Sequence, residues 1–114
     1  MLLQIEERQI EPDITLIQLA GKLALGRESQ RVESLVQEKA QAGVRRVILD
    51  MSGVDHIDSA GIGVVALSAG TVKEAGGKLV VVATGGRVLQ LLKLTQLNSI
   101  VTVCASVEEA ARAL

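Results

Sequence analysis

The order of apolar and polar residues divides the chain into strand-like and helix-like segments. Residues 2–8 and 14–23 carry the β-branched and alternating residues that favour strands. The sequence Glu11-Pro12-Asp13 lies between them, and because Pro presets the backbone dihedral of a turn, we expect a hairpin. Two later runs, residues 47–49 and 79–82, are apolar without interruption. Such runs are typical of strands covered on both faces, so we expect both strands to be central and parallel.

Apolar residues at helical spacing predict helices between and after these strands. The first helix ends at Gly43 and the second, which follows Ser59, ends at Gly76-Gly77, since glycine is common just past a helix C-terminus. The predicted apolar faces consist of Val32, Leu35, Val36 and Ala40 in the first helix, and of Ile62, Val65, Ala66 and Ala69 in the second.

The last third of the chain continues the alternation of helix and strand. Residues 87–94 predict a third helix and residues 100–103 a last strand. Ser106 and Glu109 form a capping box that opens a short helix toward Leu114. The predicted order is ββαβαβαβα, an α/β fold whose mixed sheet has an N-terminal hairpin, parallel central strands and about four helices.

Composition narrows the classes of function. A chain of 114 residues with 48% hydrophobic residues can bury one core, so we expect a single domain over residues 1–114. It contains no Phe, Tyr or Trp, and its 12 basic residues are balanced by 13 acidic ones. Binding of single-stranded nucleic acid relies on aromatic stacking and a basic groove, so no nucleic-acid partner is expected.

The sequence predicts neither a membrane-spanning segment nor a disulfide. The first residues turn acidic and lack the features of a signal peptide, so we expect a cytoplasmic protein. The longest uncharged stretch, residues 59–72, is shorter than the ~20 apolar residues that a membrane span needs, which argues against membrane insertion. Cys104 is the only cysteine, and we interpret it as a small buried hydrophobic residue in a late strand.

The hexad from Asp58 to Gly63 carries the clearest chemical signal. It follows a predicted strand and the turn residues Ser52-Gly53, and it places the hydroxyl of Ser59 at the start of a helix. A helix start has unpaired N–H groups and partial positive charge, which favour both a capping hydroxyl and a phosphate. Ser59 is therefore a candidate phosphate acceptor, nucleophile or N-cap, and Asp58 is the alternative cap.

Other chemical interpretations find less support in the sequence. An enzyme with Ser59 as nucleophile and His56 as base would lack a Gly-x-Ser-x-Gly elbow, so we expect no enzymatic activity and interpret His56 as a solvated turn residue. Asp55, His56 and Asp58 have no recognised metal-ligand spacing. Thr84-Gly85-Gly86 lacks the Lys of a phosphate loop and is predicted to be an ordinary strand-to-helix turn. No metal or cofactor is expected.

In its motifs and their order, the chain resembles the STAS domain of bacterial anti-sigma factor antagonists over nearly its whole length. The segments that carry this resemblance are Gly21-Lys22-Leu23, residues 47–54, Ile57-Asp58-Ser59-Ala60-Gly61-Ile62-Gly63, residues 91–97 and Ser106-Val107-Glu108-Glu109-Ala110. The hexad is the specific part, because it stands between a buried strand and a crossover helix.

The resemblance implies a protein-binding switch. Ser59 matches the phosphate acceptor, Asp58 the acid before it, and Gly61 and Gly63 the glycines that let a partner backbone approach; Ala60 and Ile62 complete the partner-binding hexad. The implied partner is an anti-sigma factor that is also a serine kinase, which the unmodified form captures to free the sigma factor; a phosphatase is a second candidate partner. The alternative is a non-switching STAS subunit of a stress-signalling scaffold or a lipid transporter.

Overall fold

The structure, a computed structural model, describes residues 3–11 and 13–114 as one α/β unit. The strands are β1 (Leu3–Glu11), β2 (Ile14–Leu23), β3 (Arg46–Ile57), β4 (Lys78–Val82) and β5 (Thr102–Cys104). The helices are α1 (Arg27–Gln41), α2 (Ser59–Glu74), α3 (Gly86–Leu94) and α4 (Val107–Ala113), with a 3-10 turn at Leu97–Ser99. The predicted order of strands and helices is confirmed.

The five strands form one mixed sheet in the order β1-β2-β3-β4-β5. β1 pairs with β2 in antiparallel register, with Ile5 opposite Leu19, so the predicted hairpin is confirmed, although Pro12 of its turn lies outside the described residues. The pairs β2–β3, β3–β4 and β4–β5 are all parallel. Because each parallel pair is joined by a helix, the carboxyl ends of β2 and β3 meet at the edge where α1 and α2 begin.

The apolar runs of β3 and β4 are buried on both faces, as predicted. Ile48, Leu49, Val80 and Val81 have no exposed surface. One apolar cluster joins one face of the sheet to α1, α2 and α3, and a second cluster joins the other face to α4. None of the helices in the described part of the chain has the length and apolar character of a membrane-spanning segment.

β3 is longer than its sequence pattern indicates. Ser52 and Gly53, predicted to form a turn, lie within the strand, and pairing with β2 continues to the register Leu23 opposite Ile57. Two register shifts in this pairing accommodate the extension. A Cβ atom at Gly53 would lie 2.9 Å from the Leu19 carbonyl oxygen, so glycine allows β3 to approach β2 closely at this point. The prediction of a turn was therefore wrong, and His56 is an exposed strand residue.

The apolar face of α2 also differs from the predicted one. Val65 is buried as expected, but Ile62, Ala66 and Ala69 are only partly buried. The residues that do face the core are Gly61, Val64, Val65, Ser68 and Val72. The core face is therefore centred one residue earlier in each turn, because the helix begins by packing Gly61 against β2, as described below.

Late in the chain, the last strand begins two residues beyond its predicted start. Thr102–Cys104 pairs with Val80–Val82, whereas Ile100 follows the 3-10 turn and is 71% exposed. Gln96, with φ 60°, adopts the left-handed conformation before that turn. Cys104 is buried in β5, as predicted, and residues 84 and 85 lie between β4 and α3, whose first residue is Gly86.

Candidate functional site

The start of α2 lies at the carboxyl ends of β2 and β3, and Asp58 is its N-cap. Asp58 has extended backbone dihedrals, and its Oδ1 accepts a hydrogen bond from the Gly61 N–H at 2.9 Å. Ser59 is the first helical residue and is exposed. Of the two caps that the sequence allowed, the structure therefore selects Asp58, and the Ser59 hydroxyl does not serve as the cap.

The carboxylate of Asp58 also joins two separate parts of the chain. Its Oδ2 accepts the Leu25 N–H at 3.2 Å, while the Asp58 N–H donates to the Leu23 carbonyl at 3.4 Å. The bond from the Gly61 N–H, followed by that from Leu25, lowers the pKa of Asp58 against the opposing effect of desolvation. Asp58 is thus a carboxylate at neutral pH, and it ties the loop at residues 24–26 to the start of α2.

The same loop is also held by α1. The Ala24 N–H donates to Ser29 Oγ at 3.1 Å, and the Ser29 hydroxyl donates in turn to the Ala24 carbonyl. Ser29 is buried with only 4% of its surface exposed. The loop is therefore fixed by two hydrogen-bonding side chains, Ser29 and Asp58, while Leu25 between them is 83% exposed.

The two glycines of the hexad have different surroundings. Gly61 is buried, and a Cβ at this position would overlap the Leu23 carbonyl oxygen and come within 2.8 Å of Ile57 Cγ1. Gly63 is half-buried, and a Cβ there would meet nothing within 4 Å. Gly61 therefore lets α2 approach β2 within the fold, whereas Gly63 leaves open space on the outside of the helix.

Ala60 and Ile62, the remaining residues of the hexad, are half-buried beside Ser59. The structure thus brings Ser59, Ala60, Ile62 and Gly63 to the accessible side of the helix start. The N–H of the exposed Leu25 bonds to Asp58 at the same place, although Leu25 was not among the predicted site residues. The sequence shows a large apolar residue in a loop just before Gly26. It does not show that this loop is hydrogen-bonded to Asp58, 33 residues later in the chain.

The alternative chemistries receive no support from the geometry. Asp55 and His56 are consecutive, exposed residues near the end of β3, where the pairing with β2 shifts register. Within the described ranges, no hydrogen bond joins His56 to Ser59, and no three His, Cys, Asp or Glu residues are grouped as a metal site would require.

The sequence of the chain matches a known protein family. The family model of the STAS domain matches residues 7–110. BtrV of Bordetella bronchiseptica, described as a candidate anti-sigma factor antagonist, is 33% identical over 85 residues, which cover 75% of this chain and 73% of that protein.

Several solved structures share the fold. An anti-sigma factor antagonist from Mycobacterium paratuberculosis superposes with a TM-score of 0.83 at 16% identity, covering 97% of this chain and 92% of that one. The phosphorylated form of SpoIIAA, a cell fate determinant of Bacillus, superposes with a TM-score of 0.75 at 14% identity, covering 97% of this chain and all of the other. At these identities the structures establish the fold, and the family model together with BtrV establishes the relationship: the chain belongs to the STAS domain family and is similar to anti-sigma factor antagonists.

Proposed function

We propose that the protein is an anti-sigma factor antagonist whose binding to an anti-sigma factor with serine kinase activity is switched at Ser59. The observation that carries this proposal is the exposed hydroxyl of Ser59 at the first position of α2, where Asp58 already provides the cap. Ser59 Oγ makes no hydrogen bond within the described part of the chain, so a kinase can reach it without breaking an internal contact.

The local charges explain how phosphate would act as a switch. A phosphate adds about −1.5 to −2 charges, and Asp58 beside it is ionised. A partner that covers the unmodified site would have to desolvate these charges together, and like charges held close in an interface cost several kcal/mol. The phosphorylated form should therefore lose affinity for the partner that binds the unmodified form.

The fold itself should tolerate the phosphate. The positive end of α2 favours a negative charge, and the cap bond from Gly61 to Asp58 does not involve the Ser59 side chain. A phosphorylated protein, SpoIIAA, also has the same fold. Similarity to BtrV and to the Mycobacterium structure supports a binding module rather than an enzyme, in agreement with the sequence-based expectation.

The decisive experiment is phosphorylation by the anti-sigma kinase of the same genome, with ATP, followed by mass spectrometry. We expect a single phosphate on Ser59 and none in Ser59→Ala. Binding of the kinase should weaken by about 100-fold or more for Ser59→Asp, on the scale of several kcal/mol, and stay near wild type for Ser59→Ala.

Ser52→Ala and Thr71→Ala are matched controls, since Ser52 is exposed in β3 and Thr71 lies farther along α2. Both variants should still accept phosphate. Phosphate on Ser52, Ser68 or Thr71 would contradict the proposal, as would a kinase that binds Ser59→Asp as tightly as wild type. A scaffold or transporter partner that is indifferent to both Ser59 variants would instead identify the non-switching STAS subunit.

A further inference from the structure

The face of the sheet that carries α4 is only partly covered by that helix. α4 packs against an apolar cluster that includes Ile48, Val80 and Cys104. Farther along β2 and β3, the side chains on this face become polar at Gln18 and Asp50, which lie opposite each other in the parallel register. The polar part borders an open pocket of about 500 Å³, a volume typical of small-molecule sites.

Asp50 is the unusual group in this pocket, because it is a carboxylate with only 7% of its surface exposed. Its Oδ1 accepts hydrogen bonds from the Ser52 N–H at 3.0 Å and from the Ser52 hydroxyl. Its Oδ2 accepts a long bond, 3.4 Å, from Gln18 Nε2. These donors fix the orientation of the carboxylate, but all of them are neutral.

No Lys, Arg or His side chain of the described residues forms an ion pair with Asp50. Burial of a carboxylate is costly unless an opposite charge accompanies it. The fold therefore holds a buried negative charge at the edge of a pocket without supplying the positive charge that would balance it.

A second carboxylate, that of Glu6, lines the same pocket. Glu6 lies opposite Gln18 in the hairpin, and Gln18 lies opposite Asp50, so the three residues form one row across the sheet. Neighbouring strands are about 4.8 Å apart, which separates the Cα atoms of the two acidic residues by about 10 Å. Arg8 lies 3.6 Å from Glu6, but both side chains are more than half exposed and such pairs are weak.

The charges of this row define the ligand that it can bind. Two carboxylates repel phosphates and other anions. A divalent metal ion requires more oxygen ligands, and no three His, Cys, Asp or Glu residues are grouped in the part of the chain that the structure describes. Ammonium and guanidinium groups remain, since their N–H groups form charge-assisted hydrogen bonds with carboxylates.

We propose that this pocket binds a small organic dication, a diamine or a guanidino-amine, with one cationic end at Asp50 and the other at Glu6. The amide oxygen of Gln18, between the two acids, is an acceptor for either end. The pocket lies on the face of the sheet opposite α1, α2 and α3, so this inference is independent of the proposed switch at Ser59.

The test uses agmatine and putrescine as probes, with binding to the full chain measured by isothermal titration calorimetry. We expect one molecule to bind per chain with a dissociation constant of about 1 mM or lower. The uncharged diol with the chain length of putrescine should not bind, because it cannot neutralise either carboxylate. Amide chemical shifts in an NMR titration should change at residues 4–6, 18–20 and 50–53, which border the pocket.

Three substitutions that each remove one negative charge locate the site. Asp50→Asn keeps the size of the side chain and an acceptor for the Ser52 N–H, and should weaken binding by about tenfold or more. Glu6→Gln changes an exposed residue and should weaken binding by about threefold. Glu74→Gln, an exposed position at the end of α2, is the matched control and should leave binding unchanged. Circular dichroism checks the fold of each variant.

Four results would overturn the inference. Neither probe may bind the wild-type chain, or the diol may bind as tightly as putrescine. Binding that is equally strong in Asp50→Asn would show a general attraction of cations to the surface. A lysine-rich peptide that binds where both probes fail would assign the pocket to a partner protein. If Asp50→Asn does not fold, Glu6→Gln and the NMR shifts decide, and shifts confined to the face of α1 and α2 would contradict the proposal.

Discussion

Three positions at the start of α2 have three separate physical roles. Asp58 caps the helix and holds a neighbouring loop, Ser59 offers an exposed hydroxyl, and Gly61 lets the helix pack against Leu23 of β2. The hexad could be singled out from the sequence, but the sequence did not show which of its residues caps the helix, which stays exposed and which packs against β2. The loop-holding role of Asp58 and the packing role of Gly61 depend on contacts with Leu25 and Leu23, more than 30 residues earlier in the chain.

Alanine substitution of the two glycines tests the packing role of Gly61, with Gly63 as the matched control. Gly61→Ala should lower the free energy of unfolding by roughly 1–3 kcal/mol or more, because the added methyl group overlaps the Leu23 carbonyl. Gly63→Ala should raise it by about 0.5–1 kcal/mol, since alanine favours a helix interior and has open space there. Urea unfolding followed by circular dichroism measures both, and equal effects would contradict the packing role of Gly61.

At the scale of the secondary structure elements, α1 and α2 each bury one serine. Ser29 of α1 is 4% exposed and makes two hydrogen bonds with Ala24, whereas Ser68 of α2 is 1% exposed and its Oγ has no hydrogen-bond partner in the described structure. Apolar spacing misplaced the buried face of α2 because it gave weight to Ile62 and none to Gly61 or Ser68. Small residues mark a helix face only where the packing partner is known.

The same substitution in the two helices should have different effects on stability. Ser29→Ala is expected to destabilise the protein by about 1–2 kcal/mol and to speed hydrogen exchange in the loop at residues 24–26, because the Ala24 N–H and carbonyl lose their partner. Ser68→Ala removes a buried hydroxyl without a partner, so stability should stay equal or rise by about 1 kcal/mol. Chemical denaturation compares the two, and a large loss in Ser68→Ala would reveal an unrecognised partner of this hydroxyl.

For the molecule as a whole, the apolar runs of β3 and β4 predicted the central parallel strands correctly. The length of β3 was less predictable, because its second half pairs with β2 through two register shifts that no periodicity indicates. α4 covers the second face of the sheet, where Arg46 and Lys78 donate to the Leu114 and Ala113 carbonyls at its end. These basic residues begin β3 and β4, so the amino ends of two central strands anchor the last helix.

Cys104 provides a probe of the stability of this arrangement. Burial raises the pKa of its thiol, with Glu109 adding to the effect, so the folded state keeps the neutral form. As pH rises through the unfolded-state pKa of about 8.5, the unfolded state loses the proton first, and stability should fall. Alkylation should be slow in the native protein and fast in urea, and Cys104→Ala should lack the alkaline part of the loss. Rapid alkylation without denaturant would contradict the burial of this thiol.

The contact between Gly61 and Leu23 bears on how motifs of this kind diagnose relatives. Since Asp58 and Gly61 serve the architecture, a STAS chain with another residue in place of Ser59 could keep the same cap and the same close approach of helix to strand. Most of the hexad would then be inherited with the fold, whether or not the descendant is regulated. Only the residue at the position of Ser59 would then distinguish a STAS domain that can be phosphorylated there from one that keeps the fold alone.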